Sequence, residues 1–177
     1  MIKIPETRDV WSQAEMDALR LSGFKGYINV HGGSQEYPVC VDDWTRYPVF
    51  ALGDAHVLAV GRARVRAKDR SRVYAFDRSH VVGYDNAHIE AAPGTTVIIT
   101  DNATAAALKG HADLTMFGRS LARIDGRQEA AARGDSTVYG YGNSHARLFD
   151  SATAVLHEKA VGTRYSVDAT VRRVEEQ

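Results

Sequence analysis

The chain has one cysteine, Cys40, among its 177 residues, so no internal disulfide can form. It has no excess of charge of either sign: 22 Lys and Arg face 22 Asp and Glu. That balance excludes a global attraction to nucleic acid or to an anionic membrane and leaves only local patches. No apolar run approaches the ~20 residues that a membrane-spanning helix needs. The opening MIKIPETRDVWSQ carries no apolar stretch of signal length. Together with the lone thiol, this sets the expectation of a reducing, cytoplasmic location. Aromatic residues are only 8% of the chain, prolines number four, and there is no low-complexity tract or long linker. The length is enough for one or two domains with a real core.

What the chain does have is a period of eight. From Ala55 the sequence reads AHVLAVGR ARVRAKDR SRVYAFDR SHVVGYDN AHIEAAPG TTVIITDN ATAAALK. The first position of each octad is small: Ala55, Ala63, Ser71, Ser79, Ala87, Thr95, Ala103. The third is mostly β-branched (Val57, Val65, Val73, Val81, Ile89, Val97), and the fifth is mostly Ala or Gly. Even positions are larger, charged or aromatic. Alternation with period two describes a strand with one face inward and one outward, and the longer period marks a repeating structural unit. Gly or Asp at the seventh position (Gly61, Asp69, Asp77, Asp85, Asp101) supplies a turn.

Beyond Lys109 the pattern persists but moves by one residue, so the small positions become Ala112, Ser120, Gln128, Ser136, Ser144, Ala152 and Ala160. A one-residue insertion inside a strand would turn every later side chain inside out. The insertion therefore belongs in a turn or bulge near Gly110–His111. Fourteen octads run from Ala55 to Ser166; the first position is Ala, Ser or Thr in thirteen of them, and the seventh is Gly or Asp in ten. Two octads per coil would give a flattened two-sheet solenoid with coils ~4.8 Å apart; three would give a triangular prism. The small inward residues favour the thin form, because alanine facing alanine cannot fill a wide interior.

Residues 55–166, in forms such as SRVYAFDR and DSTVYGYGN, resemble uncharacterised bacterial and prophage proteins built on an octad of the S-A-T-V-x-A-x-D/G kind. The resemblance implies an all-β parallel β-helix, a β-solenoid, and brings no catalytic residue with it. More distantly the chain is similar in architecture to bactofilins and to pentapeptide-repeat proteins, whose repeat patterns differ.

Residues 1–54 read as a small α/β cap. Ser12 and Glu15 form a capping box ahead of a helix over about 13–22, with Gly23 as its stop. KGYINV and EYPVCV read as extended pieces. A stack of coils ends in an apolar cross-section and unpaired strand edges, and a unit carrying Trp11, Phe24, Tyr27 and Trp44 suits that end; a separate binding role is the alternative. Residues 167–177 read as a last strand or tail, whose RR and EE pairs guard against open-ended stacking.

Function then falls to the outward positions. Arg62, Arg64, Arg66, Lys68, Arg70 and Arg72 form a cationic ridge, read as lying along one strand with Arg62 and Arg72 at its ends. It suits an acidic protein surface or, as an alternative, phosphates; a solvated edge, or a ridge neutralised from neighbouring coils, is the plainer account. Val60, Phe76, Ala92 and Leu108, with Leu58 and Tyr74 beside them, form an outer apolar stripe for a partner or a second copy, unless a terminal segment folds over it. Tyr139, Tyr141 and Phe149 are a second aromatic cluster. His56 and His88 fall on one face two coils apart with Arg72 between them, too far apart to share a metal ion. His31 and Cys40 invite a base–nucleophile reading, but Cys40 sits in an apolar run and fits a buried structural role better. Asp69, Asp77, Asp85 and Asp101 read as inward turn residues bonding their own backbone, since calcium-binding β-rolls use a nine-residue spacing. With no acid, base and nucleophile set, the expectation is a non-enzymatic interaction protein without cofactor or metal, such as an inhibitor or adaptor of a bacterial macromolecular complex; a self-assembling polymer and a nucleic-acid binder are the alternatives.

Overall fold

The structure is a computed structural model and describes residues 5–108 and 110–174. Its octads become strands of about four residues that alternate between two parallel sheets. The ten-stranded sheet runs β1 (Thr7–Val10), β2 (Tyr27–Val30), β4 (Val49–Ala51), β6 (Arg64–Ala67), β8 (His80–Gly83), β10 (Thr96–Ile99), β12 (Asp113–Met116), β14 (Glu129–Ala132), β16 (His145–Leu148) and β18 (Val161–Arg164). The nine-stranded sheet runs β3 (Val39–Val41), β5 (His56–Ala59), β7 (Arg72–Ala75), β9 (His88–Ala91), β11 (Thr104–Ala107), β13 (Leu121–Ile124), β15 (Thr137–Gly140), β17 (Thr153–Leu156) and β19 (Thr170–Arg173). Two octads make one coil, and the molecule is a β-solenoid of about ten turns.

The register reports the coil length directly. Thr96 pairs with His80, sixteen residues earlier. Asp113 pairs with Thr96, seventeen earlier, so the inserted residue is absorbed between β11 and β12, where Gly110 takes φ 131°. The expected insertion thus lies outside the strands, beside Lys109, which is not among the described residues. A second insertion, not read from the sequence, lies between β18 and β19: Thr170 pairs with Thr153, again seventeen residues back. The sheets also begin well before Ala55. Val49 pairs with Val65 and Val39 with Val57, so β1–β4 extend both sheets.

Inward positions are almost wholly buried, and their sizes compensate across the coil. Gly83 leaves room that Ile89 and Ile99 fill: a Cβ there would meet Ile89 Cδ1 at 2.6 Å. Gln128, the one large polar residue in the first-position columns, is fully buried. Its Oε1 accepts from the Asp125 N–H at 2.8 Å and its Nε2 donates to the Leu108 carbonyl. Ser71, Ser79, Ser120 and Ser144 are buried with hydroxyls that find no partner. Small volume, rather than a hydrogen bond, therefore accounts for these four serines, whereas Ser136 Oγ donates to the Arg133 carbonyl at 2.8 Å.

The two ends are closed in different ways. Helix α1 (Gln13–Leu21) occupies the place of a nine-stranded-sheet strand in the first coil, between β1 and β2. Its N-cap Ser12 accepts from the Glu15 N–H at 3.3 Å, and Glu15 accepts from the Trp11 N–H at 2.5 Å. Met16 is buried against the end of the core, and Gln13 Oε1 takes the edge amide of Cys40 at 2.6 Å. At the other end, Arg164 and Arg173 stand in register with the buried Leu148 and Leu156. Their guanidinium groups reach across to the backbone carbonyls of Ala169, Glu158 and Ala160 at 3.3–3.4 Å. Charge at an inward position of the last coil opposes the addition of another strand. Glu175 and Glu176, the expected EE guard, lie outside the described residues.

The seventh-position aspartates are exposed turn residues, not inward ones. Asp69, Asp77, Asp85 and Asp101 adopt φ between 56° and 60°, the left-handed region. Their carboxylates bond the preceding coil rather than their own backbone: Asp69 Oδ2 accepts from the Gly53 N–H at 2.8 Å, and Asp77 Oδ2 accepts from the Gly61 N–H at 3.0 Å. Asp69→Asn, which keeps an acceptor oxygen and tolerates this backbone region, should leave the denaturant midpoint nearly unchanged. Asp69→Val should destabilise by about 2 kcal/mol through backbone strain. Equal midpoints for the two variants would contradict the role assigned to the turn.

Candidate partner-binding surfaces

A coil turns through both faces of the molecule, and this divides the cationic ridge. Arg64 and Arg66 are exposed on β6, and Lys68 follows at the end of that strand. Arg62 and Arg70 occupy turns, and Arg72 lies on β7 in the opposite sheet. The ridge is therefore not one strand with flanking ends: only Arg64, Arg66 and Lys68 share a face. Several members are also engaged. Arg70 grips Asp54 with two bonds, Nε to Oδ1 at 2.8 Å and Nη2 to Oδ2 at 2.9 Å, which holds the Asp54 carboxyl below its usual range. Arg64 donates to the Arg46 carbonyl at 2.6 Å. Arg66 lies over the Phe50 ring and Lys68 over the Tyr84 ring, each 5.7 Å from the centroid.

The apolar stripe, in contrast, comes together. Leu58 and Tyr74 are register partners on the outer face of the nine-stranded sheet. The amides of Val60, Phe76, Ala92 and Leu108 each bond the coil before, which stacks these side chains in one column beside them. Phe76 is 39% exposed and Leu108 41%. The described terminal segments leave both uncovered. Arg72 sits beside Tyr74 one step along β7, and His88 and Glu90 occupy the next row.

The aromatic cluster of Tyr139, Tyr141 and Phe149 is split between the faces and becomes two ladders. On the nine-stranded side Arg123 lies 4.6 Å over the Tyr141 ring, and Tyr141 stacks on His157 at 4.4 Å and 11°. On the ten-stranded side Arg133 lies 4.4 Å over Phe149, which stacks on Tyr165 at 4.8 Å and 11°. Arg123, Arg133, His157 and Tyr165 were not singled out by sequence reasoning. Counting sixteen residues from each aromatic would have found His157, Tyr165 and Arg133, as it would have paired Asp54 with Arg70. Such columns hold exposed side chains in fixed stacked rotamers, each worth about 0.5–1.5 kcal/mol beyond area burial.

His56, Arg72 and His88 do stack in that order, by direct register. Among the described residues no group of three His, Cys, Asp or Glu is placed to hold a metal ion. His31 stacks on Trp11 at 5.3 Å and bonds Asp9 Oδ1 at 2.9 Å, following β2. Cys40 lies on β3 in the other sheet, at an outward, half-buried position under α1 rather than in the core. Burial, then Asp42 and Asp17, push its thiol pKa up. A base and a reactive thiolate are therefore not brought together. No helix among the described residues is long and apolar enough to cross a membrane.

His88 Nδ1 lies 2.8 Å from Thr104 Oγ1, and burial lowers its pKa despite Glu90, whose carboxylate is 3.8 Å away. The unfolded chain takes up this proton first, so the fold loses stability as pH falls below the ordinary histidine value of about 6.5. His88→Gln should flatten the loss of thermal stability between about pH 7 and 5, and an unchanged pH profile would contradict it. The division of the ridge gives a second expectation. If the three cations of one face bind DNA, the slope of log affinity against log salt should be no steeper than about 3. A slope near six would mean that both faces contact the phosphates together.

Comparison with family models, with curated proteins and with solved structures finds no match to this chain.

Proposed function

We propose that the chain is a non-enzymatic binding scaffold whose nine-stranded face receives a protein partner. One observation carries this reading. The inward columns already form a complete core, yet an outer patch of Leu58, Val60, Tyr74 and Phe76 lies on top of them and continues over the buried Ala92 to Leu108. The fold itself does not need large apolar side chains there, and exposed contiguous apolar surface favours association. A Tyr and a Phe stand within the patch, and aromatic residues are among the types that dominate interface energies. Arg72 and Arg78, exposed beside them, suit a partner with an apolar centre and an acidic rim. An inhibitor or adaptor acting on a larger bacterial complex is a concrete form of this scaffold; its support is the resemblance of the octad.

The end-to-end form of the polymer alternative is disfavoured by the ends. Such a filament needs a free apolar cross-section at both ends, whereas one is covered by α1 and the other carries Arg164 and Arg173 at core positions. The nucleic-acid alternative is weakened because Arg70 is neutralised by Asp54 and Arg72 faces away from Arg64 and Arg66.

Tyr74→Asp and Phe76→Asp should each weaken capture of the partner at least about thirtyfold, the size of a hot-spot loss, while the circular dichroism spectrum stays that of the parent. Quantitative pull-down from the native host, with Arg64→Asp as the control on the other face, reads this out. Capture unchanged in both aspartate variants, or lost only in the Arg64 control, would reject the reading.

A further inference from the structure

The ten-stranded face carries a pattern of its own, independent of the patch just described. Its outward rows can be read strand by strand. The β6 row is cationic: Arg64, Arg66 and Lys68. The next two rows hold no acidic residue, lysine or arginine: His80, Val82 and Tyr84 along β8, then Thr96, Ile98 and Thr100 along β10. Acidic residues follow at the first outward position, Asp113 on β12 and Glu129 on β14. The registers Arg64↔His80↔Thr96↔Asp113↔Glu129 place these five residues in one column across the sheet. Arg64 has no carboxylate partner among the described residues, and Asp113 has no basic one. Between them lies a smooth strip of half-buried β-branched side chains, Val82, Ile98 and Thr115.

Such a face is complementary to itself about its own midline, which is the property an isologous two-fold contact requires and an unrelated partner does not. We infer that a second copy of this chain docks on the ten-stranded face, antiparallel, about a two-fold axis that runs along the strands between β8 and β10. That axis lays the β8 row on the β10 row of the partner and Val82 against Ile98 of the partner subunit. It sets the Arg64 guanidinium over the carboxylate of Asp113 of the partner subunit, twice per dimer, and Lys68 over the Phe117 ring of the partner subunit. The other in-plane axis, along the solenoid, would instead press each cationic row on its own copy and leave Asp113 without a basic group opposite. About six rows ~4.8 Å apart, on strands of four residues with their turns, cover on the order of 500 Å² per copy. This is below the ~800 Å² per partner of a standard stable interface, so the dimer is expected to form in the micromolar range rather than below it.

Sedimentation equilibrium over about 1–100 µM protein tests the arrangement, with circular dichroism confirming that each variant is folded. The wild type should move from monomer to dimer. Arg64→Asp and Asp113→Arg should each weaken the dimer at least about tenfold, because each places two like-charge pairs in the contact. Mixed in equal amounts, the two variants should dimerise with each other, since one then carries aspartate and the other arginine at both positions. Ile98→Lys, at the centre of the face, should abolish association without rescue by any mixture. A wild type that stays monomeric throughout the range would overturn the inference and leave the face to a different macromolecule. Mixing that restores nothing would overturn it too. So would a dimer that survives all three substitutions and is lost on Phe76→Asp, which would place the second copy on the opposite face.

Discussion

The structure depends on one constraint: every eight residues the chain must reverse, and the interior between two reversals is only one pair of side chains thick. Parallel strands hydrogen-bond to the coils before and after, not to the octad that precedes them, so each coil is held by its neighbours. Close approach of the two sheets demands small or β-branched inward residues, and the turn demands a residue at ease with positive φ. Asp69 and Asp77 meet the demand of the turn with a positive φ, and their carboxylates also take an amide of the coil before. Once these positions are fixed, the outward positions are free of folding duties. The surface is then a lattice on which a residue meets the one sixteen places further on.

A lattice of this kind has a problem at its ends, and the chain answers it asymmetrically. Helix α1 replaces a strand and lays Met16 over the first coil. The last coil keeps its strands but places Arg164 and Arg173 where leucines stood one coil earlier. Both devices cover or charge an otherwise apolar cross-section and so oppose end-to-end stacking. The two sides differ. One presents an aromatic and aliphatic patch around Tyr74 and Phe76; the other presents a cationic β6 row and, beyond two uncharged rows, the carboxylates of Asp113 and of Glu129, which pairs with Arg147.

Much of this was legible in the residues. The octad, its two-per-coil winding and the insertion near Gly110 follow from alternation and from the size of the inward side chains. The stacking of His56, Arg72 and His88 follows from the count alone. What stayed hidden has physical causes. The N-terminal strands β1–β4 look like a separate cap in the sequence because irregular insertions between them, including the whole of α1, break the period although the strands still pair. The second insertion, between β18 and β19, was masked because Ser166 to Val171 keeps its alternation in sequence while the chain bulges. Parity alone puts the seventh position inward, but a left-handed turn residue leaves the strand plane and points to solvent. Spacing along one strand suggested a single ridge from Arg62 to Arg72, whereas the turn after Lys68 carries the chain over to the other face.

The central claim is that faces and distances are set by a coil of sixteen residues, seventeen where a turn absorbs one more. Spin labels test it directly. In a Cys40→Ser background, cysteines at Leu58 and Arg123 lie on one face four coils apart, and cysteines at Leu58 and Val155 lie on it six coils apart. Electron–electron dipolar distances should be about 19 Å for the first pair and about 29 Å for the second, a step of ~4.8 Å per coil. A second distance only about 6 Å longer than the first, as three octads per coil would give, or a label at Arg123 shielded from solvent, would contradict the account.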